Sequence, residues 1–337
     1  MEELRHVSTE EPGYTRKPWG RGFTYQDADG ETVRDQDLRA WMESIVIPPA
    51  WTDVWISPYK NGHILATGRD SEGRKQYRYH PKWQEIRNQK KFDRLLRFGE
   101  CLPHLRQVTD ADLRGHKLSR QRVLAGVVRL LENTLIRIGN TEYAQKNNTY
   151  GLTTLTDDHA EIDGEKVVFD FVGKSGKEHT IMLKDARLAP IVQRCQDIPG
   201  YDLFQYYDEA GDHRTVESSD VNEYLKKHTG ETFTAKVFRT WGGSTLAIKY
   251  LCEHQDDDPG VDIGGCFQHV ADLLGNTTSV CRQYYVHPLV SQVYEAGQLC
   301  QPYNEYAQAE EERSPYDLAP EEKTLMHLIA QDSANAD

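Results

Sequence analysis

Nowhere in these 337 residues does an apolar run approach the ~18–20 needed for a membrane helix; the longest candidate, around Val123–Leu131, is broken by Arg129. Cysteine is scarce, six in all (Cys101, Cys195, Cys252, Cys266, Cys281 and Cys300), with no C-x-x-C pair. That excludes the common zinc modules, argues against a disulfide framework and fits a reducing compartment. The opening MEELRHVSTEEPGY has acids where a secretory leader has bases and then an apolar stretch, so a cytoplasmic protein is expected. Repeats and low-complexity tracts are also lacking. What remains is an ordinary globular composition, 38% apolar and 28% charged, long enough for two domains.

The net charge of −13 would ordinarily exclude a polyanionic partner. Its distribution reverses that. Residues 301–337 hold nine acids against Arg313 and Lys323, and Cys252–Ile263 holds five acids and no base. Residues 60–97 hold eleven bases against four acids. A surface attracts by its local sign within a Debye length of ~8–10 Å, so a basic stretch this dense is compatible with nucleic acid.

The first ninety residues read as short strands and turns. Phe23–Tyr25, Asp29-Gly30 and Glu31–Val33 suggest a hairpin, as do Val54–Ile56, Asn61-Gly62 and His63–Ala66. Asp37–Ile45 reads as a short helix stopped by Pro48-Pro49, and Gln76–His80 as a strand. From Pro81 the apolar period becomes helical. A strong helix is expected over Ser119–Ile138, then three antiparallel strands at 160–162, 166–172 and 179–183. Helices follow at Asp185–Cys195, Ser219–Lys227, Lys236–Leu251 and Val270–Leu274. The expected fold is α+β, with a β-rich domain over 1–90, a mainly helical domain over 91–300 holding the three-stranded sheet, and an acidic tail over 301–337. That tail reads as loosely packed or as one docked helix near Glu321–Ala330.

Four segments carry cations or tyrosines in suggestive places. Leu135-Ile-Arg137-Ile-Gly139 sets an arginine at a helix end, and Val172-Gly173-Lys174-Ser175-Gly176-Lys177 sets a lysine on a hairpin turn. Lys236-Val-Phe-Arg239-Thr opens a helix with two cations. Leu274-Gly275-Asn276-Thr277 then leads to Tyr284-Tyr285-Val286-His287-Pro288. Gly173-Lys174-Ser175 lacks the preceding glycine of a phosphate-binding P-loop, so no ATP requirement is expected.

Together with Ile47-Pro-Pro-Ala-Trp51, Ala66-Thr-Gly-Arg69-Asp70 and Gly73-Arg-Lys-Gln-Tyr-Arg-Tyr-His-Pro81, these segments resemble type IB DNA topoisomerases of the short, poxvirus-like bacterial form. The resemblance runs from about Gly20 to Val290. It implies a C-shaped clamp around duplex DNA, a monomer without cofactor or metal, and relaxation of supercoils through a 3′-phosphotyrosyl intermediate. By position, Tyr285 matches the nucleophile, Arg137, Lys174 and Arg239 the catalytic cations, and Asn276 a place held by His or Asn. Tyr284 departs from the small residue usual before the nucleophile. Arg74, Lys75, Tyr77, Tyr79, Tyr143 and Lys236 correspond to DNA contacts.

The residue types suit that chemistry. A tyrosine of pKa ~10 is a poor nucleophile at neutral pH and needs an electrophilic target. Arginine forks neutralise non-bridging phosphate oxygens, an asparagine adds a neutral donor, and a lysine can protonate the departing 5′-oxygen. A tyrosine recombinase shares this set, but normally has His where this chain has Lys236, and has a helical N-terminal domain. A non-catalytic DNA-binding protein is disfavoured because every catalytic position holds a competent residue.

Overall fold

Alternation along the first eighty residues builds an antiparallel sheet. The computed structural model describes residues 3–115, 117–254, 262–309 and 314–336, and the chain divides into a unit over Met1–Lys91 and one over Phe92–Asp337. In the first, β1 (Tyr14–Trp19), β2 (Gly22–Gln26), β3 (Thr52–Ile56), β4 (Ile64–Arg69) and β5 (Lys75–Tyr79) run in the order β2-β1-β3-β4-β5. Helix α1 (Gln36–Ser44), capped by the Asp35 side chain, lays Met42 on a core of Val54, Ile56 and Ala66. The expected hairpin forms as a short pairing, with Asp27 N on Glu31 O, Val33 N on Tyr25 O and a bridge between Gln26 and Thr32, while β2 pairs along its length with β1. The Asp27–Gly30 turn itself forms, with Gly30 donating to Asp27 O at 3.1 Å.

The second unit is mostly helical. Its helices are α2 (Pro81–Leu113, which begins in the first unit), α3 (Arg120–Thr134), α4 (Thr141–Asn147), α5 (Ala189–Gln196), α6 (Ser218–Thr229), α7 (Lys236–Glu253), α8 (Ile263–Leu274), α9 (Thr278–Tyr284), α10 (Pro288–Glu295), α11 (Cys300–Gln308) and α12 (Pro320–Ala336). A three-stranded antiparallel sheet, β6 (Ala160–Asp163), β7 (Lys166–Val172) and β8 (Glu178–Lys184), interrupts them, and a small hairpin, β9 (Gln205–Tyr207) and β10 (His213–Thr215), follows. Val123, Val127, Leu130 and Leu131 of α3 are fully buried, while Phe98 meets Phe233, Phe238 and Trp241 edge-on. None of the described helices is long and apolar enough to cross a membrane.

Two expectations need correction. Helix α3 stops at Thr134, four residues early, because Leu135 turns left-handed at φ 55°; Arg137 therefore sits on an irregular segment beyond the helix. Cys252 and Cys300 form a disulfide with Cα atoms 5.1 Å apart, joining the end of α7 to the start of α11. Forty-eight residues separate them in sequence, so no local cysteine motif announces the pair. Residues 301–337 follow the docked-helix alternative: they contribute to α11 and supply α12, which buries Leu325, Leu328 and Ile329. The Asp256–Asp258 run and Glu310–Glu312 lie outside the described residues.

One buried carboxylate holds α12 in place. Glu322 accepts from Arg106 at 2.8 and 3.0 Å and from the Trp241 indole at 2.9 Å, while Arg106 also meets Glu132 at 2.6 Å. Removing one partner of such a group leaves buried polar atoms unmet, at about 3–5 kcal/mol. Glu322→Ala should therefore lower the stability of the helical unit by about that amount in urea unfolding, with Glu322→Gln losing less; an unchanged midpoint for the alanine variant would contradict this anchoring.

Candidate active site

The four expected cleavage-site segments converge at one end of the helical unit. A cavity there is lined by Arg137, Lys174 and Arg239, with Tyr150, His179 and Leu274 among its other walls. Arg239 lies one turn into α7 and is 5% exposed. Its Nη1 donates to Leu135 O at the end of α3 and its Nη2 to Leu274 O at the end of α8, the latter at 2.7 Å. Two helix C-termini, each the negative end of its dipole, thus hold this cation. Burial, and next the nearby Arg137, pull its pKa down to about 10, so it stays charged at neutral pH.

Tyr285 sits directly after α9, with the Arg239 guanidinium carbon 5.0 Å from its ring centroid. Its backbone is fixed by α7. The Ser244 hydroxyl donates to Tyr285 O at 3.2 Å and accepts from His287 N at 2.9 Å. Gly243 allows the approach, since a Cβ there would stand 2.8 Å from Tyr285 O.

Asn276 follows Gly275, the left-handed cap of α8. Its side-chain oxygen accepts from Arg137 Nη2 at 2.5 Å. Although Tyr285 lies beside Arg239 and Cys281 beside Asn276, Arg239 Nε and Asn276 Nδ2 remain buried without a well-formed hydrogen bond. Buried donors without well-formed hydrogen bonds are costly; Arg239 lines the cavity, and Asn276 is bonded to Arg137, which also lines it. An anion there would satisfy them.

Lys174 is exposed on a 3-10 turn, Lys174–Gly176, between β7 and β8. Ser175 adopts φ 65° within that turn, and Gly173 N closes it onto Lys177 O at 2.7 Å. Lys177, at the end of the same turn segment, donates to Asn276 O at 2.8 Å. His179 escaped the sequence reading altogether. The signal was present, since β8 alternates and places His179, Ile181 and Leu183 on its half-buried face, where a histidine is out of pattern. Burial, then Arg137, Arg239 and Lys177, hold its imidazole below the usual histidine range.

The expected DNA-contact residues are dispersed. Lys75, Tyr77 and Tyr79 alternate along edge strand β5, the two rings stacked 5.8 Å apart and Lys75 Nζ 5.6 Å from the Tyr77 centroid. Arg74 differs from its neighbour: it is engaged by Asp70 at 2.8 Å and Glu72 at 2.6 Å. In the helical unit, Tyr143 on α4 is 56% exposed and Lys236 at the start of α7 is also exposed; neither lines the cavity.

Comparison with known proteins gives two matching families: "Eukaryotic DNA topoisomerase I, catalytic core" over residues 80–307, and "Bacterial DNA topoisomerase IB, N-terminal domain" over residues 22–70. Among relatives, the DNA topoisomerase 1B of Acanthamoeba polyphaga mimivirus is 30% identical, covering 84% of this chain and 88% of that one. Vaccinia virus DNA topoisomerase 1B is 23% identical over 79% of this chain and 85% of its own. A solved XerH site-specific recombinase superposes only loosely, with a TM-score of 0.37 at 14% identity over 59% of this chain and 50% of that one.

Alanine at an interior helix glycine normally gains about 0.5–1 kcal/mol. Gly243→Ala should instead cost about 1–3 kcal/mol in urea unfolding, because the new methyl meets the Tyr285 backbone. A stabilised Gly243→Ala would mean that α7 does not fix Tyr285.

Proposed function

Because the chain belongs to the type IB DNA topoisomerases, we propose that it relaxes supercoiled duplex DNA by transient cleavage of one strand through Tyr285. The observation that carries this reading is the convergence of Arg137, Lys174 and Arg239 on one cavity, with the Tyr285 ring against Arg239. Tyr285 Oη attacks the scissile phosphorus and the 5′-oxygen leaves, so the strand stays joined to the protein as a 3′-phosphotyrosine. Arg137 and Arg239 neutralise the non-bridging oxygens, where most of the gain in phosphoryl transfer arises. Asn276 Nδ2 and Arg239 Nε, which make no well-formed hydrogen bond, are further donors for those oxygens. Lys174, on its exposed turn, delivers the proton that the departing 5′-alkoxide needs.

The covalent bond conserves the phosphodiester energy. Rotation of the cut strand is driven by DNA torque, and attack by the 5′-hydroxyl restores the backbone. No nucleotide or metal enters this scheme. The chain acts as a monomer in the cytoplasm, the β-rich and helical units serving as the two arms of a clamp around the duplex. Lys75, Tyr77 and Tyr79 on β5 and the exposed Tyr143 and Lys236 contact the backbone. Arg74 contributes less, since Asp70 and Glu72 already offset its charge.

Two measurements test the scheme. Positively and negatively supercoiled plasmid should both be relaxed in EDTA without ATP; strict magnesium dependence, or relaxation of negative supercoils alone, contradicts it. Lys174→Ala should cut an ordinary substrate about 10²–10⁴-fold more slowly. With sulfur replacing the scissile 5′-oxygen, the leaving thiolate needs no proton (thiol pKa about 8.5), and the variant should approach wild type. Absence of that rescue would remove Lys174 as the acid.

A further inference from the structure

The scheme leaves one wall of the cavity unused. His179 opens the inward face of β8 and stacks on Phe171 of β7, the centroids 5.1 Å apart and the planes 20° from parallel. Its ring touches the residues that immediately precede two functional side chains. On one side is Gly173, before Lys174, where a Cβ would stand 2.6 Å from Cδ2 and 2.7 Å from Nε2 of the ring. On the other is Gly275, before Asn276, where a Cβ would overlap Cε1. Beside the ring, Lys177 ties the same turn to Asn276 O. The β7–β8 turn and the α8 cap are otherwise separate pieces of chain, a hundred residues apart.

We propose that His179 is a positioning residue for strand cleavage: packed between Gly173 and Gly275, its ring sets the placement of Lys174 relative to Asn276. The proposal rests on Lys174 as the proton donor, so that loss of the ring misplaces the acid while leaving the phosphate ligands intact. Arg137 from the segment after α3, Arg239 from α7 and Lys177 from the turn all face His179, and with its burial they keep the imidazole uncharged. A neutral ring can pack at the centre of these cations, with Lys174 and Tyr150 on the same cavity wall, without adding to their mutual repulsion. A misplacement of about 1 Å at a reacting group is worth up to about 10²-fold in rate, enough for an indirect role to be measurable.

The test uses the full chain and single-turnover formation of the covalent DNA adduct, with DNA affinity measured separately. His179→Ala should slow cleavage about 30-fold with affinity nearly unchanged, and His179→Phe, which keeps a flat ring, should recover most of the rate. The decisive readout is the 5′-sulfur substrate, which should rescue His179→Ala as it rescues Lys174→Ala; a residue needed only for folding gives no such selectivity. Gly173→Ala is a second route to the same defect, since Gly173 has φ −93° and ψ −167°, open to any residue, and its new methyl meets only the ring closely. It too should be rescued by sulfur, and the Gly173→Ala/His179→Ala double variant should lose far less than the product of the two single losses. If sulfur rescues Lys174→Ala but neither His179→Ala nor Gly173→Ala, Lys174 remains the acid and the positioning role of His179 is wrong. If Lys174→Ala itself is not rescued, the acid assignment fails and the proposal fails with it.

Discussion

A guanidinium taken out of water must find other oxygens, and Arg239 finds them at two helix ends. Its contacts with Leu135 O and Leu274 O bring together α7, the end of α3 and the end of α8. Arg137 follows the first of those ends by two residues, and Asn276 the second by two. The same burial draws the Arg239 pKa down to about 10, the cost of desolvating a charge beside another cation. That cost is offset by the helix dipoles. Misplacing this one side chain would displace both of its neighbours in the candidate site.

From this anchor the remaining parts are placed by packing. Gly243 and Ser244 of α7 pack against the Tyr285 backbone just after α9, so the proposed nucleophile is held against the helix that carries Arg239. Lys174 stands on a short turn, as suits the proton-donor role proposed for it. The C-terminal helix α12 braces the other side of α7 through the Trp241–Glu322–Arg106 contacts. A segment that reads as an acidic tail thereby supports the helix that carries Arg239.

Much of this was legible in the sequence because it is local. Helical spacing of apolar residues located α3 and α7, and alternation located β6 to β8. The end of α3 was missed because Leu135 enters the left-handed region, which tertiary contact imposes on a residue of good helix propensity. The Cys252–Cys300 bond, the Lys177–Asn276 bond and the wedge formed by His179 join residues 48 or more apart. No window of sequence holds both partners of any of them. Arg74 looked like a free cation for the opposite reason: its acids Asp70 and Glu72 are close in sequence, but only the turn geometry aims them at it.

The assignment of Tyr285 as nucleophile is the point on which the rest converges, and its neighbour Tyr284 is an equally reactive phenol in isolation. The ring that lies against Arg239 is that of Tyr285. Trapping the covalent adduct on a short duplex, digesting the protein and sequencing the DNA-linked peptide by mass spectrometry distinguishes the two directly. The account predicts the nucleotide on Tyr285; a nucleotide on Tyr284 would contradict it.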